Sequence, residues 1–196
     1  MERSVFSDEK RFNLDGPCGY SYYWRDLSKP DNQLKFSTRK YGGGGLLFWG
    51  AFSATKKVEL VEVPTTLNSE RYIETIDNAL FKTKRSWVHS KLIFQQDNAS
   101  CHVSKETKSY LKKKKKITLL DWPAQSPDLN PIENLWGIIS RKIYSAGKQY
   151  ENREELREAV LEAWDLIILE TMEQLIQSMK QRCIKVIENK GEKTNY

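Results

Sequence analysis

Apolar and polar side chains alternate along the first segment of the chain, from Ser4 to Asn13. The Asp15-Gly16 dipeptide after it is typical of a tight turn, and residues 20–24 are rich in aromatic side chains, so the pattern predicts a β-hairpin. Residues 25–45 are polar and end in four glycines, which predicts a long loop. The chain therefore begins with paired strands.

Two further apolar runs, Leu46–Ala54 and Val58–Val63, predict a second hairpin. After them the apolar residues recur every three or four positions, from Asn68 as a predicted N-cap to about Trp87. This change of period indicates that helices follow the strands.

Short strands and helices alternate in the rest of the chain. Leu92–Phe94 and Ile117–Leu120 have the composition of buried strands. Helices are predicted from Ser104, from Asn130 with a proline after it, and twice within residues 151–188. The order of elements predicts a mixed α/β sheet flanked by helices.

The composition is that of an ordinary folded domain. The chain has 196 residues, of which 39% are hydrophobic and 30% charged, so we expect one domain with at most a small helical appendage. No apolar run approaches the roughly 20 residues that span a bilayer, so no membrane partner is expected. The three cysteines are far apart and odd in number, which argues against a disulfide framework or a zinc cage.

The charge is unevenly distributed. The whole chain has a net charge of +6. Residues 151–196 carry 7 basic and 10 acidic side chains, a net charge of −3, so residues 1–150 carry a net charge of +9. The basic part is the candidate surface for a polyanion. Nucleic acid and an anionic membrane surface both fit this observation.

Three acidic residues are candidate ligands for a metal. Two histidines are too few for an imidazole site, so any metal here is expected to be Mg²⁺ or a similar ion held by oxygen. Asp8 lies in the first strand, Asp97 ends a buried strand, and Glu133 lies in the first turn of a helix. If the first two strands are neighbours, both aspartates face the crevice where α/β sheets place ligands, and Glu133 closes it.

Each acid also has a structural interpretation. Asp8 fits an exposed strand position, Asp97 fits a cap of the next turn, and Glu133 fits the third helical position, where acids help to cap a helix. Gly137, four residues after Glu133, favours a site, because it removes a side chain that would crowd a phosphodiester. Structural roles are assigned to the remaining nearby acids, with Glu9 expected on the opposite sheet face from Asp8: Glu9, Asp15, Asp121 and Asp128.

Three segments stand out together: Val5–Glu9, Phe94–Ala99 with His102, and residues 122–136, which read WPAQSPDLNPIENLW. They resemble the catalytic domain of Tc/mariner-superfamily transposases, most closely the nematode-type branch. The similarity covers nearly the whole chain and includes Ser178–Arg182. It implies a ribonuclease H-like fold with a five-stranded mixed sheet, a core over about residues 1–147 and a helical part at about 151–190.

By this resemblance Asp8, Asp97 and Glu133 match the family's DDE triad and hold two Mg²⁺ ions, for which Mn²⁺ substitutes. The implied reaction is nicking of transposon ends, followed by attack of the freed 3′-hydroxyl on target DNA at a TA dinucleotide. The implied partners are double-stranded DNA and a second copy of the chain, and the implied location is the nucleus.

Two features depart from the family pattern. The spacing between Asp97 and Glu133 is one residue longer than is usual, and the lysine run at 112–116 is the expected place of the extra residue. The chain begins only 7 residues before Asp8, so the family's N-terminal helix-turn-helix modules are expected to be absent. A catalytically silent remnant that binds DNA or transposase subunits is therefore the alternative hypothesis.

Six residues are predicted to contact DNA, on weaker grounds than the triad. These residues are His102, Lys112, Lys113, Lys114, Arg141 and Lys142. The three lysines at 112–114 equally fit a nuclear-import signal or a solvated helix end. Arg141 and Lys142 also fit ordinary exposed helix positions, and His102 equally fits a residue that holds its own turn.

Overall fold

The computed structural model of the protein describes residues 4–17, 44–82, 91–192 and 194. One five-stranded sheet lies in this part of the chain, in the order β3-β2-β1-β4-β5. Its strands are β1 Ser4–Asn13, β2 Gly45–Phe52, β3 Val61–Val63, β4 Leu92–Gln95 and β5 Ile117–Leu119. The strand predicted at residues 20–24 lies outside the described residues.

The sheet is mixed, as the sequence predicts. β1 pairs antiparallel with β2, and β2 pairs antiparallel with β3. β4 lies parallel to β1 on its other side, and β5 lies parallel to β4. The change from hairpin strands to helix-linked strands therefore coincides with the change from antiparallel to parallel pairing.

Six α-helices surround the sheet within the described residues: α1 Ser69–Ile76, α2 Ser100–Val103, α3 Lys105–Lys113, α4 Ile132–Ile143, α5 Arg153–Asp165 and α6 Leu169–Glu188. A π-helical segment, Asp77–Lys82, continues α1, and 3₁₀ turns occupy Pro127–Leu129 and Ser145–Gly147. Two predicted N-caps are confirmed. The Asn68 side chain accepts the Arg71 amide at 2.9 Å, and Ser104 Oγ accepts the Thr107 amide at 3.1 Å.

Each face of the sheet carries its own hydrophobic core. Phe6 and Phe48 face a cluster that includes Trp136 of α4 and Trp164 of α5. Val5 and Trp49, their neighbours along the strands, face a second cluster under α1 and α3. The alternation of β1 and β2 thus supplies apolar side chains to both helical layers, because successive strand residues point to opposite faces.

None of the helices in the described residues is long and apolar enough to cross a bilayer.

Candidate active site

The parallel pairing of β1 with β4 brings two of the predicted acids to the same end of the sheet, just beyond the paired residues of the two strands. The last residues paired between these strands are Phe6 and Gln95. Asp8 and Asp97 each lie two residues beyond that pair. The condition stated from the sequence, that the two strands are neighbours, is therefore met.

The third acid, Glu133, reaches the same end of the sheet because of how α4 begins. The N-cap of α4 is Pro131, one residue later than the Asn130 predicted from the sequence, but Asn130 Oδ1 still accepts the Ile132 amide at 3.4 Å at the start of the helix. Its Nδ2 donates to the Ser7 carbonyl oxygen at 3.1 Å, which attaches the start of the helix to β1. Glu133, in the first turn of α4, consequently lies above the sheet edge, with its Oε2 3.5 Å from Lys10 Nζ.

Asp8, Asp97 and Glu133 line a single cleft of about 340 Å³. Its other walls are Asn98, Ala99, Asn130 and the segment 122–127. Each acid has its own polar contact: Asp8 contacts Trp136, Asp97 contacts His102, and Glu133 contacts Lys10. In the described part of the chain no three His, Cys, Asp or Glu side chains are placed so that they could together hold a metal ion as they stand. The three acids therefore line one cleft, but their carboxyl groups do not meet at one point.

Acidic side chains surround Asp8. Burial, together with repulsion from Glu133, Glu9 and Asp97, raises the pKa of Asp8 to about 8. A divalent cation would relieve this repulsion, and carboxylate oxygens are the ligands that Mg²⁺ and Mn²⁺ prefer. The donor set therefore fits a hard divalent metal ion.

Asp97 both caps a turn and faces the cleft. Its Oδ1 accepts the Ala99 amide at 2.9 Å and lies 2.6 Å from His102 Nδ1. The hydrogen bond from His102 is the main cause that holds the pKa of Asp97 below its usual value. The side chain is half exposed, so the capping interpretation and the site interpretation both describe this residue.

His102 is placed differently from the prediction. Its side chain is only 3% exposed, lies 3.2 Å from Glu9 Oε1 through Nε2, and packs on the Tyr72 ring at 4.0 Å. Burial alone would lower the pKa of His102, but the hydrogen bonds to Asp97 and Glu9 raise it to about 10. Because both ring nitrogens are engaged inside the protein, these contacts favour the role of holding the turn, and contact with DNA stays a prediction. Glu9 lies on the opposite sheet face from Asp8, as predicted.

The lysine run, residues 112–116, lies at the opposite end of the strands from the three acids. The Lys116 carbonyl oxygen accepts the amide of Leu92, at the start of β4, whereas Asp97 follows the end of that strand. Lys112 and Lys113 close α3, also on the far side from the cleft. These positions do not support the predicted contacts with DNA held at the acids.

Lys114 has a partner inside the protein. Its Nζ lies 2.9 Å from Asp77 Oδ1 and 4.6 Å from the centroid of the Phe81 ring. A role in local packing therefore accounts for Lys114 without DNA.

Arg141 and Lys142 are exposed on α4, the helix that carries Glu133. A Cβ placed on Gly137 would lie 3.4 Å from Arg141 Nη1, so the Arg141 guanidinium extends back along the helix toward Glu133. Their contact with DNA stays a prediction.

Sequence reasoning did not identify Arg182 as part of the architecture around the site. It is 1% exposed and donates to the Asp128 carbonyl oxygen and to Asn134 Oδ1, both at 2.7 Å. Asp128 Oδ2 in turn accepts the amide and hydroxyl of Thr194 at 2.8 Å, in agreement with its predicted structural role. The only sequence signal for Arg182 was its place in the Ser178–Arg182 segment that resembles the family.

Comparison with known proteins identifies the family. A family model described as DDE superfamily endonuclease matches residues 3–157. The chain is 48% identical over 192 residues to the Tc3 transposase of Caenorhabditis elegans and 35% identical over 193 residues to the Tcb2 transposase of Caenorhabditis briggsae. Each match covers 98% of this chain, and they cover 57% and 70% of those relatives.

Solved structures support the fold. The chain matches the Mos1 transposase paired-end complex with left transposon end at a TM-score of 0.81 and 20% identity, over 98% of this chain and 56% of that one. It matches the catalytic domain of Mos1 mariner transposase at a TM-score of 0.75 and 18% identity, over 99% and 85%. The expected ribonuclease H-like fold is therefore confirmed.

The chain spans a little over half the length of the Tc3 transposase that it matches. Within that span it carries the three predicted acids around one cleft, on the fold of a transposase catalytic domain. The chain belongs to the DDE superfamily endonucleases and, within them, to the transposases of the Tc1/mariner type.

Proposed function

We propose that this chain is a metal-dependent catalytic domain that nicks DNA at transposon ends and joins the freed 3′-hydroxyl to target DNA at a TA dinucleotide. The observation that carries the proposal is the single cleft lined by Asp8, Asp97 and Glu133. The three acids come from a strand, from the end of the neighbouring strand and from a helix. Such a set, held by rigid elements, is what phosphodiester chemistry requires of the protein.

Asp8, Asp97 and Glu133 would hold two Mg²⁺ ions, or two Mn²⁺ ions in their place. When bound, such a pair activates the attacking oxygen and stabilises the leaving oxygen of an in-line displacement. The residues around the acids orient them: His102 holds Asp97, and Asn130 holds the helix of Glu133 against β1. Lys10, half-buried beside Glu133, places a positive charge at the rim of the cleft.

Double-stranded DNA and a second copy of the chain are the proposed partners. The net charge of +9 on residues 1–150 suits a phosphate backbone, and Arg141 and Lys142 are the exposed cations that follow Glu133 on its helix. The proposed location is the nucleus, where the DNA substrate lies. We also propose a division into a core over about residues 1–147 and a helical part at about 151–190.

Nicking of supercoiled plasmid DNA in the presence of Mg²⁺ or Mn²⁺ tests the activity. The wild-type chain is expected to nick, and Asp97→Asn is expected to lose nicking because it removes a charged ligand. Asp121→Asn is the matched control, since Asp121 is exposed and does not line the cleft. Equal nicking by wild type and Asp97→Asn would reject the proposal. DNA binding and self-association by a wild-type chain that never cleaves would select the silent remnant instead.

A further inference from the structure

We propose that Trp136 is the positioning residue for Asp8. Its indole N–H holds one carboxylate oxygen of Asp8 and leaves the other oxygen available to a metal ion in the cleft. This inference rests on the proposed function, because it assumes that Asp8 is a metal ligand. It assigns a task in the reaction to a residue that the sequence pattern places only on the apolar face of a helix.

The contact itself is direct. Trp136 Nε1 donates to Asp8 Oδ2 at 3.1 Å, across 128 positions of the chain. The Trp136 side chain is fully buried, and the acid that it contacts lines the cleft. Trp136 follows Glu133 by three residues on α4, which is about one helical turn. One rigid helix therefore supplies an acid of the cleft and the hydrogen-bond donor to a second acid.

The sheet leaves room for the indole at one position. Gly50 is the residue opposite Asp8 in the pairing of β1 with β2. A Cβ on Gly50 would lie 2.8 Å from an atom of the Trp136 ring and 2.8 Å from the Leu60 side chain. Any side chain at position 50 would therefore displace the ring or its neighbour, so Gly50 is the residue that lets the indole approach Asp8.

The ring is held in place by its aromatic neighbours. It stacks on Trp164, with centroids 5.5 Å apart and an interplanar angle of 26°. Phe12 makes an edge contact with it at 6.1 Å. A donor fixed in this way restricts rotation of the carboxyl group that it contacts, which is how the neighbours of metal ligands pre-orient them.

Packing alone does not account for the direction of the N–H group. Trp49 is equally buried, and its Nε1 has no hydrogen-bond partner among the described residues. A buried tryptophan in this protein thus does not need a carboxylate to be accommodated. Trp164, the stacking partner, directs its own N–H to the Val58 carbonyl oxygen at 2.8 Å, away from the acids.

Trp136→Phe tests the inference by removing the indole N–H that contacts Asp8. Because Trp164 stacks on Trp136, the better matched control is Trp49→Phe, at a buried indole outside this stack. Each change keeps an aromatic ring and removes one buried indole N–H, but only Trp136→Phe releases a carboxylate. Titration calorimetry of Mn²⁺ into the full chain is the measurement. We expect Trp136→Phe to weaken Mn²⁺ affinity about 10-fold or more, which is the usual effect of losing a group that orients a ligand. We expect Trp49→Phe to bind Mn²⁺ as the wild type does.

Two further measurements separate positioning from folding. In the wild type, the indole N–H resonance of Trp136 is expected to shift as Mg²⁺ is added. Replacement of Trp136 by the benzothiophene analogue of tryptophan keeps the shape of the ring and lacks the N–H, so it decides the question if Trp136→Phe fails to fold. The analogue is expected to bind Mn²⁺ as weakly as Trp136→Phe.

The outcomes distinguish this inference from the proposed function. Mn²⁺ affinity at the wild-type level in Trp136→Phe or in the analogue overturns the inference and leaves the metal site intact. An equal loss in Trp49→Phe also overturns it, because the effect would then be one of packing. A wild-type chain that binds no Mn²⁺ overturns the proposed metal site itself, and the role of Trp136 with it.

Discussion

Asn130 donates from Nδ2 to the carbonyl oxygen of Ser7, the residue immediately before Asp8. Ser7 is also bonded to β4, since its Oγ donates to the Gln95 carbonyl oxygen at 2.7 Å and its amide donates to Gln95 Oε1 at 3.2 Å. Ser7 therefore connects the three elements that carry the acids of the cleft. Its own side chain is buried and takes no part in lining that cleft.

Substitution of Asn130 by alanine is expected to disturb this connection. Asn130→Ala leaves the buried Ser7 carbonyl without that donor, and we expect a loss of about 1–3 kcal/mol in the free energy of unfolding. Cleavage is expected to fall as well, because Glu133 is no longer held against β1. Urea unfolding and plasmid nicking measure the two effects.

Asn152→Ala is the control for that change. Asn152 caps α5 by accepting the Glu155 amide at 2.9 Å and is exposed, far from the acids in the chain. Its loss is expected to cost about 1 kcal/mol and to leave cleavage unchanged. Full cleavage by Asn130→Ala would contradict the role assigned to the Ser7 contact.

Asp8 and Glu9 are neighbours in the chain with different expected tasks. Asp8→Asn removes a proposed metal ligand and is expected to abolish Mn²⁺ binding and nicking. Glu9 contacts His102 on the opposite face, does not line the cleft, and reaches Asp8 only by charge repulsion, so we expect Glu9→Gln to retain measurable nicking. Single-turnover nicking rates of the two variants provide the test. Equal losses would mean that the two sheet faces are not functionally distinct.

Arg182 is expected to stabilise the fold around Glu133. Arg182→Met leaves the Asp128 carbonyl and Asn134 Oδ1 without their charged donor, and we expect a loss of about 3 kcal/mol or more in the free energy of unfolding. Arg182→Lys should not rescue it, because an ammonium group lacks the planar fork of donors. Denaturant unfolding gives the values. Arg153→Met is the control, since Arg153 is exposed and its pair with Glu62 contributes little.

Asp128 predicts a dependence of stability on pH. Burial would raise its pKa, but the hydrogen bonds from the Thr194 amide and hydroxyl hold the pKa of Asp128 below its usual value. The charged form therefore stabilises the fold above the unfolded pKa of about 3.9, and this contribution is lost as the pH falls through the lower folded pKa. The stability advantage of wild type over Asp128→Asn should shrink in acid. A constant difference between pH of about 6 and about 3 would contradict this assignment.

The sequence predicts the strands and caps well because those signals are local. Alternation along Ser4–Asn13 and the caps at Asn68 and Ser104 depend on residues within a few positions. The meeting of Asp8 with Asp97 was implied by the family resemblance, and from the residues alone it depended on their strands being neighbours. These are the parts of the site that a pattern of residue types is able to express.

The contacts that orient the acids are not local, and the sequence did not predict them. The Trp136 N–H finds its acceptor 128 positions away, and Arg182 finds its acceptors 54 and 48 positions away. For His102 the sequence left two roles open, a phosphate contact and a residue that holds its own turn. The contact of its Nε2 with Glu9 Oε1, 93 positions away, favours the second role, and no periodicity reveals that contact. Likewise, the charge of the lysine run does not predict at which end of the strands the run lies.

The lysine run lies at the opposite end of the strands from the cleft. If the extra residue expected between Asp97 and Glu133 falls in this run, it lengthens the turn before β5, and neither carboxylate has to move. The distance in sequence between two acids is then a weaker guide to the site than the register of the strand pair beneath them.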